Sequence, residues 1–102
     1  MLHQVLEQLG LTERETILYQ TLLKLGPASI RDIAEQSGVN RGSAYESLKQ
    51  LQSKGVVSYF PKGKRRFFMA ENPEILLNLA EERKQNIEKT IDSLKHTIIP
   101  SL

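Results

Sequence analysis

Cysteine is absent from the sequence, so the chain forms no disulfide bond, holds no metal through thiolates and has no cysteine nucleophile. The two histidines, His3 and His96, stand near opposite ends, and neither has a second ligand at a metal-binding spacing. The nucleotide-binding and hydrolase motifs G-x-x-x-x-G-K-[ST], G-x-G-x-x-G and G-x-S-x-G are missing too. We therefore expect no metal, no cofactor and no enzymatic activity, and a cytoplasmic location.

Long hydrophobic runs are also missing. No apolar stretch approaches the roughly 20 residues that cross a bilayer, and residues 1–10 have neither a basic start nor a continuous apolar segment. The sequence therefore predicts a chain that neither enters a membrane nor is exported. Its 102 residues suffice for one small domain and are too few for two.

Positive charge is concentrated in the middle of the chain. Residues 40–66 carry seven basic side chains against the single acid Glu46, a balance of +6, whereas residues 71–102 carry four basic and six acidic ones, a balance of −2. A polyanion such as nucleic acid would be attracted to the first segment only. A basic surface that is merely solvated explains the charge equally well, so the local structure has to decide.

Two helices are predicted before residue 26. Residues 1–10 carry apolar side chains at helical spacing and predict a short amphipathic helix. Thr12 and Glu15 have the spacing of a capping box, in which each side chain bonds the other residue's backbone N–H. The second helix therefore begins there and runs to about Leu25, because Gly26-Pro27 does not extend a helix.

A helix-turn-helix follows. Ser29 and Asp32 mark the start of a third, short helix, and Gly38 is placed for a left-handed end. Asn40 then caps a fourth helix over residues 41–54. Two helices joined by a short turn that contains glycine form this motif.

The fourth helix has an apolar and a polar face. Ala44, Leu48 and Leu51 recur at i, i+4 and i+7 and predict the side that faces the core. The opposite face has small residues near its start and basic ones further along, as a helix in the major groove of DNA needs. We assign the DNA contacts of this helix to Asn40, Arg41, Gly42, Ser43, Tyr45, Glu46, Lys49 and Gln50.

These residues have different expected roles. Arg41 adds charge to the positive end of the helix and is our first candidate for a phosphate contact. Gly42 lets the backbone approach the duplex, and Gln50 reads base edges. The hydroxyl of Tyr45 reaches a phosphate, unless Tyr45 is a partly buried core residue.

After Gly55 the apolar period changes from about 3.6 to 2. β-Branched and aromatic residues at 56–60 and 67–68 flank a turn at residues 61–64, which predicts a β-hairpin with a basic tip. The tip would follow the DNA backbone or enter the minor groove, whereas charge that protects an edge strand is the alternative. The predicted DNA contacts of the hairpin are Lys62, Gly63, Lys64, Arg65 and Arg66.

Asn72-Pro73 opens a last helix that continues to Pro100. One stripe of this helix is spaced like a coiled-coil seam, although Arg83 occupies a position that a regular seam gives to an apolar residue. An apolar stripe needs a partner surface, so we expect a second copy to cover it, together with the apolar face of the first helix, which comprises Leu2, Val5, Leu6 and Leu9. The predicted dimerisation residues are Leu76, Ala80, Ile87, Ile91, Leu94 and Ile98.

The order of these elements is that of a winged helix-turn-helix: a mainly α fold with a small β-hairpin and a long C-terminal helix. We expect the DNA-binding domain over residues 1–72, including the amphipathic helix at 1–10, and the dimerisation helix over 73–102.

Residues 9–70 resemble the N-terminal DNA-binding domain of TrmB-family transcriptional regulators. The resemblance rests on an L-G-L-T-E opening, an L-K-L-G-P-A junction and an S-G-V-x-R-x-x-x-Y-E-x-L run in this order. It implies a winged helix in which Arg41, Ser43 and Tyr45 meet DNA. Many members continue into a sugar-binding domain, whereas this sequence stops after one long helix, so we expect a short member whose own residues bind no small-molecule effector.

The sequence therefore predicts a homodimeric regulator that binds specific sites in double-stranded DNA. Two alternatives stay open: a chromatin-like protein on the same fold with little sequence preference, and a protein-interaction module that docks partners through its exposed helix. Equal affinity for selected and random duplexes would favour the first. Absent DNA affinity together with a co-purifying protein would favour the second.

Overall fold

The computed structural model describes residues 2–97 as five α-helices and a three-stranded antiparallel sheet. In chain order the elements are α1 Leu2–Gln8, α2 Glu13–Leu25, β1 Ala28–Ser29, α3 Ile30–Ser37, α4 Arg41–Ser53, β2 Val57–Lys62, β3 Arg65–Ala70 and α5 Ile75–Thr97. The fold is the predicted winged helix-turn-helix: α3 and α4 form the helix-turn-helix, and the β2–β3 hairpin is the wing. Among the described helices, none has the length and apolar character to span a membrane.

The predicted starts of α2, α3 and α4 are confirmed. Thr12 Oγ1 accepts from the Glu15 N–H at 3.1 Å, and Glu15 Oε1 accepts from the Thr12 N–H at 2.8 Å. Asn40 Oδ1 accepts from the Ser43 N–H at 2.9 Å, and Gly38 ends α3 in the left-handed conformation. These bonds satisfy backbone donors that a helix start leaves free, so the helix-turn-helix is defined by nearby residues.

The core lies between α2, α3, α4 and the sheet. The predicted core face of α4 is confirmed, because Ala44, Leu48 and Leu51 are each 0% exposed. Of the two adjacent phenylalanines, Phe68 is buried, whereas Phe67 is half-buried beside Phe60. Strand alternation requires this difference between neighbours.

The sheet has one strand more than predicted. The two-residue strand β1 pairs with β3, with Ala28 opposite Phe68 and Ser29 opposite Phe67. A strand of this length is too short to show a period of two in the sequence. Its pairing places the start of α3 next to the wing.

The wing has a tighter turn than predicted. Pro61 and Lys62 belong to β2, so the turn shrinks to Gly63-Lys64, and Gly63 has a positive φ of 65°. Two-residue hairpin turns need a positive φ, which glycine adopts without strain. Pro61 is tolerated because β2 is an edge strand of the sheet.

The last helix begins two residues later than predicted. Asn72 Oδ1 accepts from the Glu74 N–H at 3.0 Å, residues 73–74 form a turn, and α5 starts at Ile75. Leu76, predicted on the dimer seam, packs partly buried against the core of its own chain. Leu6, predicted at the same interface, is 0% exposed in that core, because the short helix α1 packs against α2.

Further along, α5 exposes an apolar stripe, which we define as Ile87, Ile91 and Leu94. These side chains are 51%, 47% and 51% exposed, and Ala80 is partly buried. Ile98 lies outside the described residues. The stripe is therefore uncovered within the chain along this part of α5.

Arg83 explains the interruption of the seam pattern. A Cβ placed on Gly10 would lie 2.8 Å from Arg83 Nη1, so the guanidinium rests against the backbone between α1 and α2. Because Gly10 has no side chain, the Arg83 guanidinium fits into the space beside its backbone. Arg83 therefore breaks the apolar spacing of the seam because its side chain makes a contact within its own chain.

Lys54, which lies in the basic segment of the sequence, forms a partly buried ion pair with Glu15. Its Nζ lies 2.8 and 2.9 Å from the two carboxylate oxygens of Glu15 and 3.3 Å from the Gly10 carbonyl oxygen. Glu15 is only 2% exposed. The pair joins the end of α4 to the start of α2, and Lys54 contributes little to the charge of the outer surface.

Candidate nucleic-acid interface

The exposed side of α4 presents two rows of side chains. At about 100° per residue, positions four apart lie nearly above one another. Arg41, Tyr45 and Lys49 form one exposed row. This row faces the wing, because Arg41 and Tyr45 line a groove with wing residues.

The second row is turned away from the wing. Gly42, Glu46 and Gln50 are exposed, and the last two line a different groove that α4 forms with α2. Ser43 is half-buried behind the Asn40 cap. The small and the hydrogen-bonding residues predicted to meet bases therefore lie beside the cationic row.

The groove between α4, the wing and the start of α3 is here called the basic groove. It encloses about 460 Å³. Five of its side chains are cationic, and its lining consists of Ser29, Ile30, Arg31, Arg41, Tyr45, Lys64, Arg65, Arg66 and Phe68. The fold thus brings together cations that the sequence places in three separate segments.

Tyr45 lies at the junction of α4 and the wing. Arg66 Nη1 donates to the Tyr45 hydroxyl oxygen at 3.1 Å, and Lys49 Nζ lies 5.5 Å from the centroid of the Tyr45 ring. Tyr45 is 37% exposed and lies outside the core cluster. Because its oxygen accepts from Arg66, its own O–H can donate to a phosphate oxygen.

Lys62 and Gly63 extend beyond the basic groove. Both are exposed at the end of the wing, and Lys62 Nζ lies 5.4 Å from the centroid of the Phe67 ring. A cation over an aromatic face is held there electrostatically. The charge of Lys62 is therefore kept close to the wing.

Most cations of the site have no acidic partner. Within residues 2–97, the close pairs of basic and acidic side chains are His3–Glu7, Arg31–Glu35, Lys54–Glu15 and His96–Asp92, of which the two histidine pairs are ionic only when the imidazole is protonated. None involves a predicted DNA-binding residue of α4 or the wing. A positive surface without internal neutralisation attracts a polyanion.

Arg31 was missed by the sequence analysis. It stands in the first turn of α3, and no local pattern distinguishes it from other exposed arginines on helices. The available signal was its position two residues after the Ser29 cap, at the start of the helix that precedes α4. Its place in the groove depends on β1, which was not predicted.

The comparisons with known sequences agree on one family. The sequence model described as "Sugar-specific transcriptional regulator TrmB" matches residues 6–74. Over 92 residues the chain is 37% identical to the HTH-type sugar sensing transcriptional regulator TrmBL1 of Pyrococcus furiosus. This match covers 90% of the chain and 26% of the relative, so the chain spans about a quarter of that protein.

Solved structures share the fold. TrmBL2, described as an archaeal chromatin protein with a novel mode of DNA binding, superimposes with a TM-score of 0.79 at 19% identity, covering 99% of this chain and 41% of that one. The homodimeric winged helix-turn-helix DNA-binding domain Mb0332 of Mycobacterium bovis has a TM-score of 0.60 at 20% identity, covering 93% and 83%. At these identities the likeness shows the architecture.

Proposed function

Since the chain belongs to the TrmB family of transcriptional regulators, we propose that it binds specific sites in double-stranded DNA as a homodimer and thereby regulates transcription. The observation that carries DNA binding is the basic groove, which cations of α3, α4 and the wing line together. The exposed row Gly42, Glu46 and Gln50 of α4 supports specificity. The family and the relative are described as transcriptional regulators, which gives no support to an enzymatic role.

In the proposed complex α4 lies in the major groove. Arg41, Lys49 and the Tyr45 hydroxyl bind phosphates on the wing side, and the wing follows the same backbone. Glu46 and Gln50 face base edges, where amide and carboxylate groups discriminate between bases. Phosphate contacts set the position of the protein, and the second row of α4 supplies the specificity.

The homodimer rests on the apolar stripe of α5. Ile87, Ile91 and Leu94 are about half exposed, and a helix of 23 residues with such a stripe gains stability by packing against a partner. The homodimeric state of Mb0332 supports a second copy as that partner. Two copies of α4 would then enter successive major grooves about 34 Å apart.

A titration of labelled duplex at several salt concentrations tests DNA binding. If about five phosphates are neutralised per protomer, the logarithm of affinity falls with the logarithm of salt with a slope near −4.5 per protomer. Arg41→Ala and Lys62→Ala weaken binding to every sequence, whereas Gln50→Ala changes sequence preference. Lys24→Ala, which removes an exposed charge away from the groove, is the control. A flat salt response of the wild type would contradict the proposal.

Gly42→Ala separates close approach to DNA from folding. A Cβ on Gly42 would meet only Asn40 Oδ1, at the ordinary contact distance of 3.5 Å. Alanine in a helix is more favourable than glycine by about 0.5–1 kcal/mol, so the free energy of unfolding stays equal or rises. We expect DNA affinity to fall nevertheless, because a methyl group then separates the α4 backbone from the duplex. Urea denaturation and fluorescence anisotropy measure the two effects, and unchanged affinity would contradict close approach.

A chromatin-like protein with weak specificity is the second candidate. It is favoured by the basic groove, whose five cations suit phosphates more than base edges. The two candidates differ in the ratio of affinities for a selected and a random duplex. A ratio of about 10³ or more is typical of specific regulators, and a ratio near one supports the second candidate.

A further inference from the structure

One cation of the basic groove comes from neither α4 nor the wing. Arg31, in the first turn of α3, lines the groove, and its Nε lies 3.6 Å from Glu35 Oε1 one helical turn later. The side chains are 61% and 64% exposed. An exposed pair of this kind is screened by water and salt and holds its partners weakly.

The position of Arg31 is set by the sheet. Ser29, at the end of β1, pairs with Phe67 of β3, and Arg66 is the neighbour of Phe67 along that strand. The start of α3 is therefore fixed beside the part of the wing that carries Arg65 and Arg66. Arg31 and the wing cations line the basic groove together with Arg41 and Tyr45 of α4.

We propose that Arg31 contacts the DNA backbone and that Glu35 competes with the DNA phosphate for its guanidinium. This inference rests on the proposed function of the basic groove. A guanidinium binds phosphate oxygens through two parallel hydrogen bonds, whereas Arg31 Nε lies 3.6 Å from Glu35 Oε1 in the free protein, too far for a hydrogen bond. When DNA binds, a phosphate therefore replaces Glu35 as the partner of the Arg31 guanidinium.

The competition gives the two residues opposite effects on binding. Arg31 adds one neutralised phosphate per protomer, which increases affinity and its dependence on salt. Glu35 holds the guanidinium before binding, and its negative charge lies near the incoming backbone after binding. The acid therefore lowers affinity, and it does so mainly through Arg31.

The test compares Arg31→Ala, Glu35→Gln and the double variant with the wild type and with Lys24→Ala, on the same duplex. Lys24 is an exposed cation in the last turn of α2, outside the basic groove. We expect Arg31→Ala to weaken binding about 3- to 10-fold and to reduce the salt slope by about 0.9 per protomer. Glu35→Gln strengthens binding about threefold in the wild-type background and has little effect once Arg31 is gone. Thermal unfolding of each variant checks that the fold is kept.

The outcomes separate the inference from the function on which it rests. If Arg41→Ala weakens binding but Arg31→Ala behaves like Lys24→Ala, DNA binding stands and Arg31 is not a backbone contact. If Glu35→Gln strengthens binding equally with and without Arg31, the acid acts through general repulsion and the competition is overturned. A wild type without salt-dependent DNA affinity overturns both the inference and the proposed function.

Discussion

Replacing Lys54 with alanine is expected to lower the free energy of unfolding by about 3 kcal/mol, the low end of the range for a broken buried ion pair. The loss arises because Glu15 is only 2% exposed and would keep a charge without its cationic partner. The low end applies because the Lys54 side chain is 29% exposed, so that water can partly solvate the Glu15 carboxylate once the ammonium group is removed. Urea denaturation measures the change.

A double-mutant cycle shows whether the pair itself causes the loss. Glu15→Gln keeps an acceptor for the Thr12 N–H, as glutamine also serves in a capping box, and Lys54→Met keeps the length of the side chain. The double variant Glu15→Gln, Lys54→Met should be more stable than the sum of the single changes implies. A Lys54→Ala variant no less stable than Lys24→Ala would contradict a structural role.

Replacing Ile91 with aspartate is expected to convert the proposed dimer to a monomer at micromolar concentration. Ile91 lies in the middle of the apolar stripe, and burying such a side chain contributes about 1.5–3 kcal/mol, twice over in a symmetric interface. The substitution replaces this gain with two like charges. The affinity for a duplex with two half-sites should fall about 100-fold or more because the two domains then bind independently, whereas affinity for one half-site stays unchanged.

Gln85→Asp is the matched control, since it introduces the same charge on the opposite face of α5. Gln85 is exposed and lies about 160° around the helix from Ile87 at 100° per residue. Sedimentation velocity compares the two variants. A wild type that sediments as a monomer, or an Ile91→Asp variant that stays dimeric, would rule out the stripe as the interface.

Local signals explain why most of the fold was predicted from the sequence. The starts of α2, α3 and α4 depend on residues three apart, such as Asn40 and Ser43, and a pattern of this length is visible in the chain. The core face of α4 follows from helical spacing alone. The wing follows from a change of period and a glycine turn.

The roles that the sequence did not predict depend on contacts between residues that are distant in the chain. Lys54 and Glu15 are 39 positions apart, and nothing near Lys54 marks it as different from the cations that lie on the surface. Arg83 fills the space beside Gly10. From the sequence alone it could only be described as an interruption of the apolar spacing of α5. Arg31 joins the basic groove through β1, a strand of two residues. Sequence patterns indicate which face a residue occupies, whereas these roles depend on which elements meet.

The meeting of α4, α5 and the segment before α2 has a mechanical consequence. Lys54 Nζ donates to the Gly10 carbonyl oxygen at 3.3 Å, and the Arg83 guanidinium occupies the space that a side chain at Gly10 would fill. A shift of α5 toward the body of the protein would therefore move Arg83 onto the backbone of Gly10, whose carbonyl oxygen Lys54 binds at the end of α4. In the proposed homodimer, the tilt of α5 relative to the rest of the domain would set the separation of the two copies of α4.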